Sequence, residues 1–429
     1  MKAEIIAVGT ELLLGQIVNS NAQFLSVELA ALGIDVYFQT VVGDNSVRLQ
    51  EAIEIAKGRA DLVLFTGGIG PTEDDLTKEA LAAALGRGLH IDPLAMEHVD
   101  QFFSGRGVPM TENNRKQALV IDDSTPLPNG TGLAVGLAIH HEDNYYVVLP
   151  GPPREMKPMF TEQAKPWLRQ HALTNETPLY SKMLKFAGIG ESLLEDKLIH
   201  LIHGQNDPTI APYAKEGEVT VRISTKAPSY SEAMKKLDAL EEQIRAILPE
   251  HLYASADVPL EKAIVDWMAN AGLTVSCAES CTGGLLMESI TAIPGSSSMF
   301  MGGIVCYSNE MKQKLLNVPQ HYLEGEGAFG AVSREVAEIL AEQVRITAGT
   351  DYGLSITGVA GPGSSERKPV GLVYIGIAEK GGKTEVFELN LKGSRENIRI
   401  RSVKTILFRL WRRLAERGAD LPLESSGLK

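Results

Sequence analysis

Short β-prone runs alternate with amphipathic helical stretches from Glu4 to Leu85, and few folds accept that alternation. Glu4 to Gly9 reads as a strand, and Asn21 to Leu32 as a helix with Leu25, Leu29 and Leu32 on one face and Gly33 as its stop. Ile34 to Val42 is a second strand. Ser46 caps a helix carrying Leu49, Ile53 and Ala56, Asp61 to Thr66 is a third strand, and Asp74 to Leu85 is a helix ended by Gly86. Parallel strands joined by helices need right-handed crossovers, so the pattern predicts an α/β fold with a parallel sheet covered on both faces.

Ligands of such sheets sit beyond the carboxyl ends of the strands. Three loops answer that description: Thr10 to Ser20, Gly43 to Asn45, and Thr66-Gly67-Gly68-Ile69-Gly70-Pro71-Thr72-Glu73-Asp74-Asp75. Glycines in the third let backbone amides approach a phosphate, and carboxylates follow at once. Glu11, Asp44, Asp74 and Asp75 beside such a cradle suit a hard divalent cation bridging a pyrophosphate. The simpler alternative is a Gly-rich turn followed by acids that the helix dipole favours.

A second stretch carries different chemistry. Leu273 to Cys277 is β-prone, Leu285 to Ile290 suits a helix, and Ala278-Glu279-Ser280-Cys281-Thr282-Gly283-Gly284 joins them, which places Ser280 on a strand-to-helix turn. A hydroxyl beside free amide donors is the layout of a serine nucleophile with an oxyanion pocket; the simpler alternative is that Ser280 or Thr282 caps the helix. Further on, Met301 to Tyr307 reads as a strand, and Ser308 or Asn309 as the cap of a helix through Leu316. Lys312 then falls near the start of that helix, where the dipole repels a cation and favours the neutral amine, a form able to take a proton from a hydroxyl. Tyr307 is placed to relay that proton or to hold the lysine; otherwise it is a core aromatic and Lys312 a solvated charge.

These residues together resemble the carboxy-terminal domain of the CinA family, the competence/damage-inducible protein A family, whose members hydrolyse the carboxamide of nicotinamide mononucleotide. The resemblance implies Ser280 as nucleophile with Tyr307 and Lys312 as the activating pair, no cofactor, and a substrate pocket including Thr282, Gly283 and Gly284. In the family the loop Thr357-Gly358-Val359-Ala360-Gly361-Pro362-Gly363 lines the nucleotide pocket, which brings in Thr357 and Gly358. Arg395, Arg399 and Arg401 open the terminal helix against its dipole, and Arg395 is the phosphate candidate.

The amino-terminal part resembles the molybdopterin-binding-like domain of the same family through Gly9 to Gly15, Asn19 with Asn21, Val42-Gly43-Asp44, and Gly67 to Lys78. Family members are associated with metal-dependent hydrolysis of ADP-ribose. The resemblance implies Thr10, Gly67, Gly68, Gly70 and Thr72 as substrate contacts and Asp74, Asp75, Asp44 and Glu11 as holders of a divalent cation.

Leu94 to Leu119 looks helical but broken around Gly105-Arg106-Gly107; Leu133 to His140 and Tyr145 to Leu149 flank a hairpin turn at Asp143-Asn144; Arg154 to Gln170 returns to helix. Thr174 to Pro178 is a polar break. The segment after it, with a strand near Lys182 to Phe186, helices at Glu191 to Leu201 and Ser229 to Leu248, and a strand at Glu218 to Ser224, resembles the small α+β KH-type insert of the family. Its Gly188-Ile189-Gly190-Glu191 departs from the nucleic-acid-binding loop, and Glu191 repels a phosphate, so a spacer or dimer contact is the expected role. The domain reading is 1–173 molybdopterin-binding-like, 174–254 KH-type, and 255–417 amidohydrolase, with a loose end from Glu416.

Composition limits the partners. With 41 Lys and Arg against 54 Asp and Glu, the net charge of −13 disfavours general phosphate-backbone binding. Cys277, Cys281 and Cys306 make an odd, small set that fits a reducing compartment, with Cys281 as second choice for nucleophile. The amino terminus goes straight into a strand and no apolar run is long enough to span a bilayer, so a cytoplasmic protein is expected, a homodimer acting on small-molecule nucleotides without nucleic acid or membrane. Rival readings are a binding protein for DNA uptake or recombination, and an amino-terminal domain that only holds a pterin.

Overall fold

The computed structural model describes every residue except 174–176, 216, 366 and 418–429. Its contacts divide the chain into two compact units, Met1–Tyr180 with Lys226–Ala233, and Ser181–Thr225 with the chain from Met234 onward. Part of the expected break at Thr174 to Pro178 and most of the expected loose end lie outside the described residues.

In the first unit the strands are β1 (Lys2–Val8), β2 (Asp35–Val42), β3 (Leu62–Thr66), β4 (Leu89–Ile91), β5 (Leu119–Ile121), β6 (Thr125–Leu127), β7 (Gly136–His141) and β8 (Asn144–Leu149). Six of them form one sheet in the order β2-β1-β3-β8-β7-β6. β2, β1, β3 and β8 are parallel; β7 and β6 are antiparallel, so the expected parallel sheet is a mixed one. The cause is local: Glu142 adopts a φ of 52° and reverses the chain, making β7 and β8 the hairpin that the sequence suggested.

β1 and β3 are apolar almost throughout because both faces are covered. Leu49, Ile53 and Ala56 of helix Ser46–Lys57 pack on one face, and Leu25 and Leu29 of helix Ser20–Ala31 on the other with Phe160 and Trp167. Each such aliphatic side chain contributes about 1.5–3 kcal/mol by leaving water. The helix expected from Asp74 begins only at Thr77, because Asp75 Oδ2 accepts from Thr72 N at 2.9 Å and Thr72 Oγ1 at 2.6 Å and keeps the loop turned. The stretch Leu94 to Leu119 resolves into helix Pro93–Gly105, a 3₁₀ turn Glu112–Ala118 and β5.

The KH-type segment builds a sheet from β9 (Leu179–Ala187), β10 (Thr209–Lys215), β11 (Glu218–Lys226) and β12 (Leu252–Ala254), in the order β10-β11-β9-β12. β10 escapes sequence reading because Pro212 interrupts it, which an edge strand tolerates. The following sheet contains β13 (Val275–Glu279), β14 (Phe300–Val305), β15 (Tyr352–Gly358), β16 (Leu372–Glu379) and β17 (Glu385–Asn390), ordered β14-β13-β15-β16-β17. β13 is parallel to both β14 and β15, and β16 and β17 are antiparallel additions. The chain leaves β13 first to one side and then to the other, so a switch point lies at its carboxyl end.

The second unit gathers the KH-type segment and the carboxy-terminal domain. Lys404 Nζ of helix Arg395–Glu416 reaches Glu218 Oε1 at 2.6 Å and Glu261 Oε1 at 2.7 Å, while Tyr253 Oη donates to Glu218 Oε2 at 2.6 Å. Gly188, in the loop compared with the nucleic-acid-binding turn, has a φ of 69° and lies where any side chain would strike the Phe408 ring. Among the described residues no helix is long and apolar enough to cross a membrane.

Candidate active sites

The carboxyl ends of β13 and β14 bring Ser280 and Lys312 together. Ser280 is the first residue after β13, with its amide donating to Ile356 O at 2.9 Å, and its side chain is 9% exposed. Lys312 lies in helix Asn309–Leu316, which Ser308 caps by accepting from Met311 N at 3.2 Å. Although a lysine, it is only 1% exposed. Its Nζ lies 3.2 Å from Ser280 Oγ, 2.7 Å from Cys306 O and 3.3 Å from Tyr307 O. That is hydrogen-bond reach between a hydroxyl and an amine base, the first geometric requirement of a serine nucleophile.

Neither Ser280 nor Thr282 caps the following helix. Gly284 occupies the cap position with a φ of 99°, and the Glu279 carboxylate serves the free amides instead. Glu279 is fully buried; its Oε2 accepts from Gly284 N at 3.0 Å and Leu286 N at 3.1 Å, and its Oε1 from Met287 N at 2.8 Å. Sequence reading passed over Glu279; a lone acid at a strand end just before a Gly-Gly turn was the signal. Gly283 N donates to Ser280 O at 3.1 Å. The amides of Cys281 and Thr282, which have no oxygen acceptor among the described residues, are therefore the remaining donors for an oxyanion. Thr282 Oγ1 is buried and has no partner among the described residues.

Tyr307 stands differently from expectation. Its ring is 61% exposed rather than in the core, and its hydroxyl accepts from Arg395 Nη2 at 3.3 Å. Only its backbone carbonyl meets Lys312, so from this position its hydroxyl relays no proton to the amine. Arg395 also donates to Gly361 O at 2.7 Å, which ties the terminal helix to the loop after β15. Arg399 Nη2 donates to Thr282 O at 2.7 Å. Thr357 is fully buried and its hydroxyl donates to Ala331 O at 2.7 Å, while Gly358 pairs with Val373 inside the sheet. These two carry the loop without offering it a side-chain contact. Cys281, the other candidate nucleophile, is 6% exposed, and burial pushes its thiol up to about 11.

The first unit holds a cavity of about 560 Å³ beyond the carboxyl ends of β1, β2, β3 and β8. Gly67 and Gly68 form its cradle with φ of 101° and 67°; side chains there would strike Val8 O and Thr77 Oγ1 respectively. Gly70, Thr72, Glu11, Asp44, Asp74 and Asp75 all line it, and Glu155 adds a carboxylate that sequence reading missed. Thr10 lies beside it, donating from N and Oγ1 to Asp44 Oδ2, each at 2.8 Å. The Thr72 side chain and the Asp74 amide hold the Asp74 carboxyl below its ordinary range. Asn21 Nδ2 donates to Thr66 Oγ1 at 2.8 Å and Gly151 O at 2.7 Å.

No lysine or arginine is among the residues lining this cavity. Among the described residues, no three His, Cys, Asp or Glu side chains converge to hold a metal ion. The expected four-carboxylate metal set is thus spread around the cavity, with Asp44 and Asp75 each committing an oxygen to a threonine. Such a set fits a hard cation that is completed by phosphate oxygens, not a ready-made protein cage.

Fold and sites together define a mixed α/β protein with a molybdopterin-binding-like first domain, a KH domain and a buried serine–lysine pair in the last. Residues 4–170 match the family described as a probable molybdopterin binding domain, 181–254 the damage-inducible protein CinA KH domain, and 257–414 the CinA C-terminal domain. Proteins of Bacillus thuringiensis (strain Al Hakam) and Bacillus cereus (strain G9842), each named "Putative competence-damage inducible protein", are 49% identical over 416 residues, covering 97% of this chain and 100% of theirs. Among solved structures, the protein CinA from Thermoplasma acidophilum is 32% identical with a TM-score of 0.36, over 39% of this chain and 98% of its own. The competence/damage-inducible protein from Agrobacterium tumefaciens is 37% identical with a TM-score of 0.35, over 36% and 93%. The chain belongs to the CinA competence/damage-inducible family.

Proposed function

We propose that the carboxy-terminal domain is a serine amidohydrolase that converts nicotinamide mononucleotide to nicotinate mononucleotide and ammonia. The observation that carries this reading is the 3.2 Å approach of Lys312 Nζ to Ser280 Oγ, with both side chains removed from water. A neutral amine has two protons and one lone pair. The carbonyls of Cys306 and Tyr307 accept from the amine, and Ser280 Oγ lies within hydrogen-bond reach of it, so a lone pair turned to the hydroxyl can take its proton.

Ser280 Oγ then attacks the carboxamide carbon as its proton passes to Lys312, and the amides of Cys281 and Thr282 face the oxygen that becomes negative. Collapse breaks the carbon–nitrogen bond, the Lys312 proton leaves with ammonia, and an ester remains on Ser280. Water attacks the ester, again giving its proton to Lys312, and the proton returns to Ser280 as nicotinate mononucleotide departs. Arg395 and Tyr307, exposed at the mouth, are the contacts for the nucleotide phosphate.

For the first domain the reading is hydrolysis of ADP-ribose to AMP and ribose 5-phosphate. The glycine loop presents amides to the pyrophosphate, and Asp44, Asp74, Asp75 and Glu11 surround it with carboxylates. Asp44, Asp74, Asp75 and Glu11 are the residues that would hold a divalent cation, which would supply charge neutralisation at the pyrophosphate. Incubation with each nucleotide, with and without chelator, followed by mass spectrometry of the products, tests both halves. Ammonia and nicotinate mononucleotide should form in either condition, and AMP only without chelator.

A further inference from the structure

The Ser280–Lys312 pair spans two loops, and one residue touches both. Glu279 binds three amides of the serine's loop and helix through its side chain, while its backbone carbonyl accepts from Cys306 N at 2.8 Å. Cys306 O in turn accepts from Lys312 Nζ at 2.7 Å. The nucleophile, the acid before it, the strand end that follows β14 and the amine thus form one closed ring of covalent and hydrogen bonds.

A buried carboxylate is costly unless its oxygens are satisfied. Glu279 is satisfied by three backbone donors, one at the end of the turn bearing Ser280 and two in the first turn of the helix that follows it. We infer that Glu279 is the positioning residue of the pair: its carboxylate grips the turn closed and so fixes the serine hydroxyl at the lysine. It does not touch the reacting atoms in this arrangement. Only an acceptor at both ends of the group meets all three amides. A glutamine of the same shape must turn an NH₂ toward either Met287 N–H or the Gly284 and Leu286 pair, which opposes donors to donors.

The inference rests on the serine–lysine reading above, and its test does not depend on the substrate. Full-length wild type and Glu279→Gln are treated with a fluorophosphonate, and the rate of Ser280 labelling is followed by mass spectrometry. The expected result is a fall of about 10²-fold in labelling and in kcat, with KM changed less than about twofold, as for a catalytic group held slightly out of place. Equal labelling rates in the two proteins would overturn the inference. Failure of the wild type to release ammonia would instead remove the amidase reading and leave the labelling ratio to decide the role of Glu279. If Glu279→Gln does not fold, hydrogen exchange in the wild type decides: the amides of Gly284, Leu286 and Met287 should be protected, and exchange at the rate of free amides would overturn the inference.

Discussion

Replacing Lys312 by methionine tests the chemistry at its base. The methionine keeps most of the buried aliphatic stem and removes only the amine that lies 3.2 Å from Ser280 Oγ. A positioned general base contributes about 10²- to 10⁴-fold, which at about 1.36 kcal/mol per decade is about 2.7–5.4 kcal/mol of transition-state stabilisation. The substitution also deprives the Cys306 and Tyr307 carbonyls of a donor, at about 1–3 kcal/mol for each that stays buried, so a lower Tm is expected alongside. Activity must therefore be read on protein shown to be folded by circular dichroism. Coupled-enzyme detection of ammonia should give a kcat lower by that factor at neutral pH. A folded variant within twofold of wild type would remove Lys312 from the mechanism.

Asp74→Ala combined with Asp75→Ala should abolish cation-dependent ADP-ribose cleavage and spare ammonia release; loss of both in a folded protein would contradict two separate sites. Cys281→Ala should keep kcat within about threefold, because a thiol pushed up to about 11 holds almost no thiolate at neutral pH. Lys404→Met should cost about 3–5 kcal/mol in denaturant unfolding by stranding Glu218 and Glu261 without their cation. The same cluster sets a pH window. Burial works against the charged Glu218, but Lys404 and the hydrogen bonds from Lys404 and Tyr253 outweigh it and hold its carboxyl below the ordinary value of 4.5. Its stabilising contribution is full above that value and is lost as pH falls through the lowered one. Burial likewise opposes charge on Lys404, yet Glu261 and Glu218 raise it above 10.5, so its contribution is full below that value and is lost as pH rises through the raised one. Wild-type stability should decline at both extremes, and Lys404→Met should weaken that dependence.

Ser280 and Lys312 were legible in sequence because each sits one turn beyond a β-prone run, where an α/β sheet places its ligands. The parallel neighbours β13 and β14 then had to bring those turns together. The outward turn of Tyr307 was not legible, because a strand-end aromatic carries no sign of which way its ring turns, and it is Arg395, distant in sequence, that meets its hydroxyl. Glu279 escaped notice for the opposite reason: its partners are backbone amides, which every residue has, so no side-chain pattern announces it. In the first domain the glycine cradle could be read from Gly67 to Gly70, since positive φ and close contacts leave glycine as the residue that fits. The separation of the acids could not, because whether Glu11 and Asp44 close on a point or spread around a cavity depends on loop conformations set by Thr10 and Thr72. The antiparallel strands that complete each sheet were present as hairpin signals, but their place in the strand order is a matter of tertiary packing.

Ammonia release from nicotinamide mononucleotide by Ser280→Ala, set beside the wild type under the same conditions, is the most direct test of a serine nucleophile. The wild type should release ammonia, and the alanine variant should be slower by at least about 10³-fold while folding normally. Turnover by that variant at the wild-type rate would show that the reaction does not pass through the serine.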